Sequence, residues 1–508
     1  MPAPDPVSEQ ISPVLEWLAA EPADDPVIDL ASLREHFARL PEPGAAGPLF
    51  QQCIEQFEAR AQDLCDRFKP RLLNAALPLS RELHAAAGEL VDALLGVAGG
   101  LRCLAGTARE RWRPIRRIDP HALAGRALAL MHEAFLLGAM SGAAAPAGLW
   151  RGVYEIVLVG GGFDAVAGTR RDASLAEAAH QLKRLLALSV LQPESLTARE
   201  LVWANDYLDG VADEAVLSLD PLQPAASSFW INPVEDAPPV ATIRSVPPAV
   251  AGLVHFSAYG ISRAVVAQAE WLKGRVAGAE VAGLERDGEL LEPDVSGLPV
   301  GLTPAEALSL MERMRDRWAL PPNRMQQRRA YQYSVQVCTG LRAIWEAAQP
   351  GARSARIAEW MVFNESPGGY AIMSVAGVAG TLSAGMAVAV RRDAGHPWSI
   401  CIVRWIRSDN PEQVELGLQL VAQTCTPVSI GFRGGEARST TPALLLPPVP
   451  ALRRNQAILA PAGTYGSRRF VLVHEGEHLY VAQARVLSLD MQTASIELFQ
   501  YEIDPYPI

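Results

Sequence analysis

Tyr331-Gln-Tyr-Ser-Val-Gln-Val337 is the stretch that decides the fold. Tyr331, Tyr333, Val335 and Val337 alternate with Gln332, Ser334 and Gln336, the period of two that places apolar side chains on one face of a half-buried strand. Just upstream the period is helical. Thr303-Pro-Ala-Glu306 is a capping box with proline at the first helical position, and Leu308, Met311, Met314 and Trp318 follow on one face. Pro321-Pro322 stops that helix. The chain therefore changes class at Pro322, with helices before it and strands after it.

Downstream, Trp360–Phe363, Met386–Val390, Ser399–Trp405 and Val414–Leu420 are strand-like runs, separated by Gly, Pro, Asn or Asp. Short strands at this spacing predict a small antiparallel barrel. Phe470–Val473, Leu479–Leu487 and Ser495–Ile503 predict a further C-terminal β section. Upstream, Phe50, Cys53, Ile54, Phe57, Ala61, Leu64, Cys65 and Phe68 form the stripe of a long amphipathic helix. Asp119-Pro120 opens another helix, Asp172 to Leu191 is a third, and the capping box Thr197-x-x-Glu200 starts a fourth. Proline clusters from Pro221 to Pro248 mark irregular or connecting structure, and one more helix is predicted over Ser262–Val276.

With 508 residues the chain exceeds one ordinary core, and its composition is that of a globular protein. A net charge of −11 and a pI near 5.4 argue against a coat for nucleic acid. Lysine is confined to Lys69, Lys183 and Lys273, so arginine carries nearly all the positive charge. Six scattered cysteines without a C-x-x-C pair suit reduced thiols rather than a disulfide framework. The acidic, proline-rich start is unlike a secretion signal, and the uncharged run Ala134–Trp150 is too short and too broken for a membrane span. A cytoplasmic protein is expected.

Arg324-Met-Gln-Gln-Arg328-Arg329 lies immediately before the first barrel strand, and Asn364-Glu-Ser366-Pro-Gly-Gly369 follows the strand Trp360–Phe363. The pair Arg324-x-x-x-Arg328 and Asn364-x-Ser366-x-x-Gly369 resembles the two signatures of PilZ domains, bacterial receptors for cyclic di-GMP. Glu415-Leu-Gly-Leu-Gln-Leu420 resembles the closing strand of that family's barrel. The resemblance covers roughly residues 322 to 430. It implies that Arg324, Arg328 and Arg329 grip phosphate and guanine, while Asn364, Ser366 and Gly369 hold the other side of the ligand. The chemistry suits such residues, because a guanidinium bonds phosphate bidentately and donates to the O6/N7 edge of guanine. Glycine lets the backbone approach a ligand closely.

Three other patterns compete for a functional reading. His474-Glu475-Gly-Glu-His478 matches H-E-x-x-H, which holds zinc when both histidines share a helix face. Its flanks, Phe470-Val-Leu-Val and Leu479-Tyr-Val-Ala, predict a β-hairpin tip instead. Gly160-Gly-Gly162 follows an apolar run as a dinucleotide loop would, but the segment after it is helical throughout, so a helix-to-helix turn is expected. The basic cluster Arg109, Arg111, Arg113, Arg116 and Arg117 is expected to be a solvated helix end.

The expected architecture is a multidomain α + β protein. Residues 1–216 are helical, 217–321 are a proline-rich connection with helices, 322–430 are a PilZ-like barrel and 431–508 are a C-terminal β section. The expected function is a non-enzymatic cyclic di-GMP receptor that signals to a helical partner-binding module in the control of motility or biofilm, with no metal and no resident cofactor. A nucleotide-blind PilZ-like scaffold for protein–protein interaction is the alternative, and a zinc hydrolase through His474, Glu475 and His478 is the third reading.

Overall fold

The computed structural model describes residues 6–40, 43–110, 119–168, 172–285, 302–321, 329–349, 357–374, 381–432, 440–450, 453–464, 469–476 and 478–504. The N-terminal half is helical: α1 (Pro6–Ala19), α2 (Pro26–Phe37), α3 (Pro43–Leu73), α4 (Arg81–Glu110), α5 (Pro120–Met140), α6 (Leu149–Val159), α7 (Phe163–Ala167), α8 (Ala173–Val190) and α9 (Ala198–Val211). The start signals act as expected. Asp119 accepts from the His121 amide ahead of Pro120, Asp172 caps Ser174 and Leu175, and Thr197 and Glu200 bond reciprocally. Gly160 to Gly162 join α6 to α7 as a helix-to-helix turn, with the Gly162 amide donating to the Val157 carbonyl.

The proline-rich segment that follows contains four short strands, β1 (Val216–Ser218), β2 (Phe229–Ile231), β3 (Val240–Ala241) and β4 (Val254–Ser257), paired in the order β1-β4-β2-β3. Two long helices complete it, α10 (Tyr259–Glu285) and α11 (Pro304–Ala319). Phe229, Phe256, Leu272, Met311 and Trp318 of this segment share one hydrophobic core with the N-terminal helices. The Trp318 indole donates to the Ala187 carbonyl at 3.0 Å, which ties α11 to α8. Two stretches, Arg81–Thr107 and Pro120–Met140, are long and apolar enough to cross a membrane, but both line this core, and α5 is buried on most of its sides.

The C-terminal half holds two closed barrels. The first comprises β5 (Arg329–Thr339), β6 (Ile357–Ser366), β7 (Gly369–Ser374), β8 (Ala387–Arg391), β9 (Ser399–Asn410) and β10 (Gln413–Ala422), with a short helix, α12 (Leu341–Ala347), after β5. Its strand order is β10-β7-β6-β5-β8-β9, closed by pairing of β9 with β10. Val335, Val337, Trp360, Val362, Ile372, Val388, Cys401 and Leu416 fill its interior.

The second barrel is built from β11 (Thr426–Phe432), β12 (Thr441–Leu446), β13 (Ala457–Pro461), β14 (Arg469–Glu475), β15 (Leu479–Gln492) and β16 (Ile496–Ile503). They close in the order β11-β12-β13-β16-β15-β14. The C-terminal β section is thus a complete barrel with its own core of Val428, Ile430, Ile458, Phe470, Leu472 and Phe499. A separate apolar layer glues the barrels together, with Ile344 of α12, Ile400 and Ile402 against Leu444, Leu459 and Leu498.

Candidate functional site

The Asn364–Gly369 turn joins β6 to β7, and the start of β5 runs beside it. Ser366 pairs with Gly369 across the turn, and the Gly368 carbonyl accepts from the Leu420 amide at 2.9 Å, which pins the turn to β10. Gly369 is required on two counts. Its φ is +153°, and a Cβ there would lie 1.9 Å from the Leu418 carbonyl oxygen. Ser366 Oγ reaches the Gly369 carbonyl at 3.4 Å.

A β-bulge after Val362 turns Asn364 away from the barrel interior, so that it pairs with Ala330 on one side and Ala371 on the other. Ala371 pairs in turn with Gly417, and Gly417 with Trp405. Ala330, Asn364, Ala371, Gly417 and Trp405 thus form one row across five strands on the outside of the barrel. Small side chains keep that row shallow. The Trp405 ring lies directly on Gly417, where a Cβ would fall 1.8 Å from its Nε1. Within this row the Asn364 Oδ1 atom is buried without a hydrogen-bond partner among the described residues. An orphaned buried amide oxygen costs free energy unless something donates to it, so it marks a place prepared for a donor.

Glu365 is next along β6 and faces the other way. It accepts from the Tyr333 hydroxyl at 2.8 Å, and the Arg392 guanidinium lies 5.0 Å from the Tyr333 ring centre. Burial first, then the bond to Glu365, pushes the Tyr333 phenol well above its ordinary range, so it stays a donor at any ordinary pH. Arg329 sits opposite Glu365 in register and is exposed, so alternation directs it to the face opposite Asn364. Arg324 and Arg328 lie outside the described residues, in the segment that leads directly into Arg329. The structure therefore brings Asn364, Ser366 and Gly369 together beside the start of β5. Ala330, Ala371, Gly417 and Trp405 were not foreseen. The one sequence signal for them is a glycine on the outward-facing side of Glu415-Leu-Gly417-Leu-Gln.

The competing patterns resolve structurally. His474 pairs with Tyr480 and Glu475 with Leu479 in the β14–β15 hairpin, so His474 and His478 flank a turn and share no helix face. Among the described residues, no group of three or more His, Cys, Asp or Glu side chains converges as metal ligands would. Burial pushes the thiols of Cys65, Cys338, Cys401 and Cys425 upward, and all six cysteines are free. The arginine cluster around Trp112 lies outside the described residues apart from the end of α4.

Comparison with known proteins gives three matches in chain order. They are the N-terminal domain of the cyclic-di-GMP receptor FimW over residues 12–224, its middle PilZ domain over 345–427, and the FimW C-terminal beta-barrel domain over 430–503. The cyclic-di-GMP receptor FimW of Pseudomonas aeruginosa is 31% identical over 144 residues, which is 28% of this chain and 23% of that relative. The matched stretch thus spans less than a quarter of the relative's length. No solved structure matches.

Proposed function

The chain belongs to the PilZ-domain family, with the three-part make-up of the cyclic-di-GMP receptor FimW, and on that premise we propose that its first barrel binds cyclic di-GMP. The ligand lies across the shallow outer row, with Asn364, Ser366 and the Gly369 turn on one side. Arg324 and Arg328 close over it from the segment before β5 and hold phosphate bidentately or stack on guanine. Arg329 is directed with Glu365 to the opposite face, so the ligand is not held through it in this reading. One observation carries this reading: the Asn364 Oδ1 atom is buried and unpartnered at a point where a guanine N–H can donate. Trp405 supplies a flat ring at the far end of the row, suited to stacking on a base.

The helical module is the output part in this reading, and the site is cytoplasmic, where a nucleotide second messenger is met. The barrel touches that module directly. Ser408 donates its amide to the Gly142 carbonyl at 2.8 Å, and Asp409 accepts from the Ala144 amide at 2.7 Å. Both residues end the strand that carries Trp405, so ligand seated on Trp405 bears on the strand that meets the helices. A ligand shifts the arrangement only as far as it binds one arrangement better than another.

Isothermal calorimetry on the whole chain tests the proposal. Cyclic di-GMP should bind saturably, and Arg328→Ala or Asn364→Ala should each weaken binding about ten- to a hundredfold. Absence of heat at tens of micromolar protein, or unchanged affinity in both variants, overturns it. A nucleotide-blind scaffold is the second reading. The PilZ match begins at residue 345 and leaves out the arginine segment, which favours it. Calorimetric silence together with a stable protein partner would establish that alternative.

A further inference from the structure

A cleft of about 420 Å³ opens where the three modules meet, far in sequence from the Asn364 turn. Its walls are α11 and Lys273 of α10 from the helical module, β9 from the first barrel and the end of β15 from the second. The walls are fixed to one another. Ser309 donates to the Gln492 carbonyl at 2.6 Å, and the Thr493 hydroxyl donates to the Gly385 carbonyl at 2.8 Å. The volume lies in the range of about 300–1,000 Å³ that small-molecule sites occupy.

Two of its four cationic side chains, Arg317 and Arg404, form no ion pair among the described residues, while Lys273 and Arg313 do. Arg404 is the extra residue of a β-bulge, since Val403 pairs with Leu418 and Trp405 with Gly417, and the bulge aims it into the cleft. Among the described residues Arg404 has neither an ion pair nor a hydrogen bond, and it is exposed at the cleft mouth. Arg317 donates only to neutral acceptors, the Leu191 carbonyl at 2.9 Å and the Gln192 side-chain oxygen. Burial first, and then the like charge of Arg404, bring its pKa down to about 10. Arg313 is held by Glu200, but its Nε is buried without a partner. The acidic groups of the cleft have partners other than Arg404 and Arg317: Glu312 pairs with Lys273 at 3.7 Å, Asp316 with Arg315 at 2.6 Å, and Asp490 accepts from Gln500 at 2.9 Å. Arginines crowded together with donors to spare are stabilised by a multiply charged anion that accepts from several of them.

We propose that this junction cleft is a second ligand site, which takes a small phosphate-bearing anion on Arg404, Arg317 and Arg313. The site is distinct from the Asn364 row and does not depend on it. Because its walls come from all three modules, a bound anion clamps them in the arrangement described above. Arg404 is adjacent to Trp405, so the clamp also steadies the strand that carries the end of the outer row.

The test uses the whole chain and inorganic pyrophosphate as the probe, with calorimetry and thermal melting, against sodium sulfate at matched ionic strength. Saturable binding of pyrophosphate is expected, with a rise in melting temperature. Arg404→Gln should weaken it about tenfold or more and should fold normally, because Arg404 has no partner to lose. Arg342→Gln on α12 should leave pyrophosphate affinity unchanged. Absence of saturable binding, an equal effect of sulfate, or equal affinity in Arg404→Gln and the parent chain overturns the proposal. Binding lost in Arg328→Ala but kept in Arg404→Gln assigns the anion to the outer row and overturns it as well.

Discussion

The two barrels share an architecture and differ in chemistry. Each closes six antiparallel strands around an apolar interior, and each contributes to the same inter-barrel layer. The first barrel spends its outer surface on a row of alanine and glycine around an orphaned amide, with a glycine-dependent turn at one edge. The second has a hairpin tip with two histidines, and its buried acid, Glu497, is satisfied by the Gly463 amide at 2.8 Å and Gln492 at 3.2 Å. A barrel by itself says nothing of function; the residues placed on it do. Bulges in β6 and β9 place Asn364 and Trp405 in the outer row and aim Arg404 into the junction cleft.

Substitution at equivalent small residues should break that comparison most sharply. Gly369→Ala forces a side chain onto a backbone carbonyl at a φ that suits glycine, so we expect a loss of about 3 kcal/mol or more, read by chemical denaturation. In the second barrel, Gly476→Ala meets only the movable ring of His474 at 3.0 Å and should change stability by less than about 0.5 kcal/mol. Equal effects in the two barrels would remove the distinction drawn above. Gly417→Ala pushes against the Trp405 ring, with an expected cost of about 1–3 kcal/mol and a shift in Trp405 fluorescence.

The helical module should differ from both barrels in its response to acid. His132 is fully buried beside Asn205 at 2.5 Å, and burial, then the charge of Arg184, lower its pKa to about 3. Its folded pKa is below the unfolded value, so the unfolded chain gains the proton first. Stability from this group is complete above about pH 6.5 and falls by up to ~1.4 kcal/mol per pH unit towards pH 3. A pH series of denaturation curves for the parent chain and His132→Gln should diverge in that window, and superimposable curves would refute it. The smallest effect is expected at the hairpin tip. Added zinc should leave the melting temperature unchanged, and His478→Ala should stay within about 0.5 kcal/mol of the parent.

Much of the fold was legible locally. Thr197-x-x-Glu200, Thr303-Pro-Ala-Glu306 and Asp119-Pro120 start helices because their side chains satisfy amides that every helix leaves free. The alternation from Tyr331 to Val337 gave β5, and Pro321 marked the end of the helical half. The short strands β1 to β4 and, in the barrels, β7, β11, β12 and β13 were not legible. Successive residues of Thr441–Leu446 and Ala457–Pro461 enter two different cores, with Ala443, Ile458 and Ala460 inside the second barrel and Leu444, Leu446, Ala457 and Leu459 between the barrels. Apolar on both faces, they show no period of two. The H-E-x-x-H letters failed in the opposite sense, since a motif has meaning only on the element that its chemistry needs.

What the sequence determined by itself is what depends on near neighbours: caps, stops, strand periods, and the turn Asn364–Gly369. Only the tertiary structure decided which distant residues share a surface. Ala330, Ala371, Gly417 and Trp405 join Asn364 through strand register, and Arg313, Arg317 and Arg404 meet where three modules close on one another. Register and module packing follow from burying several cores at once, a sum over the whole chain that no short stretch of it contains.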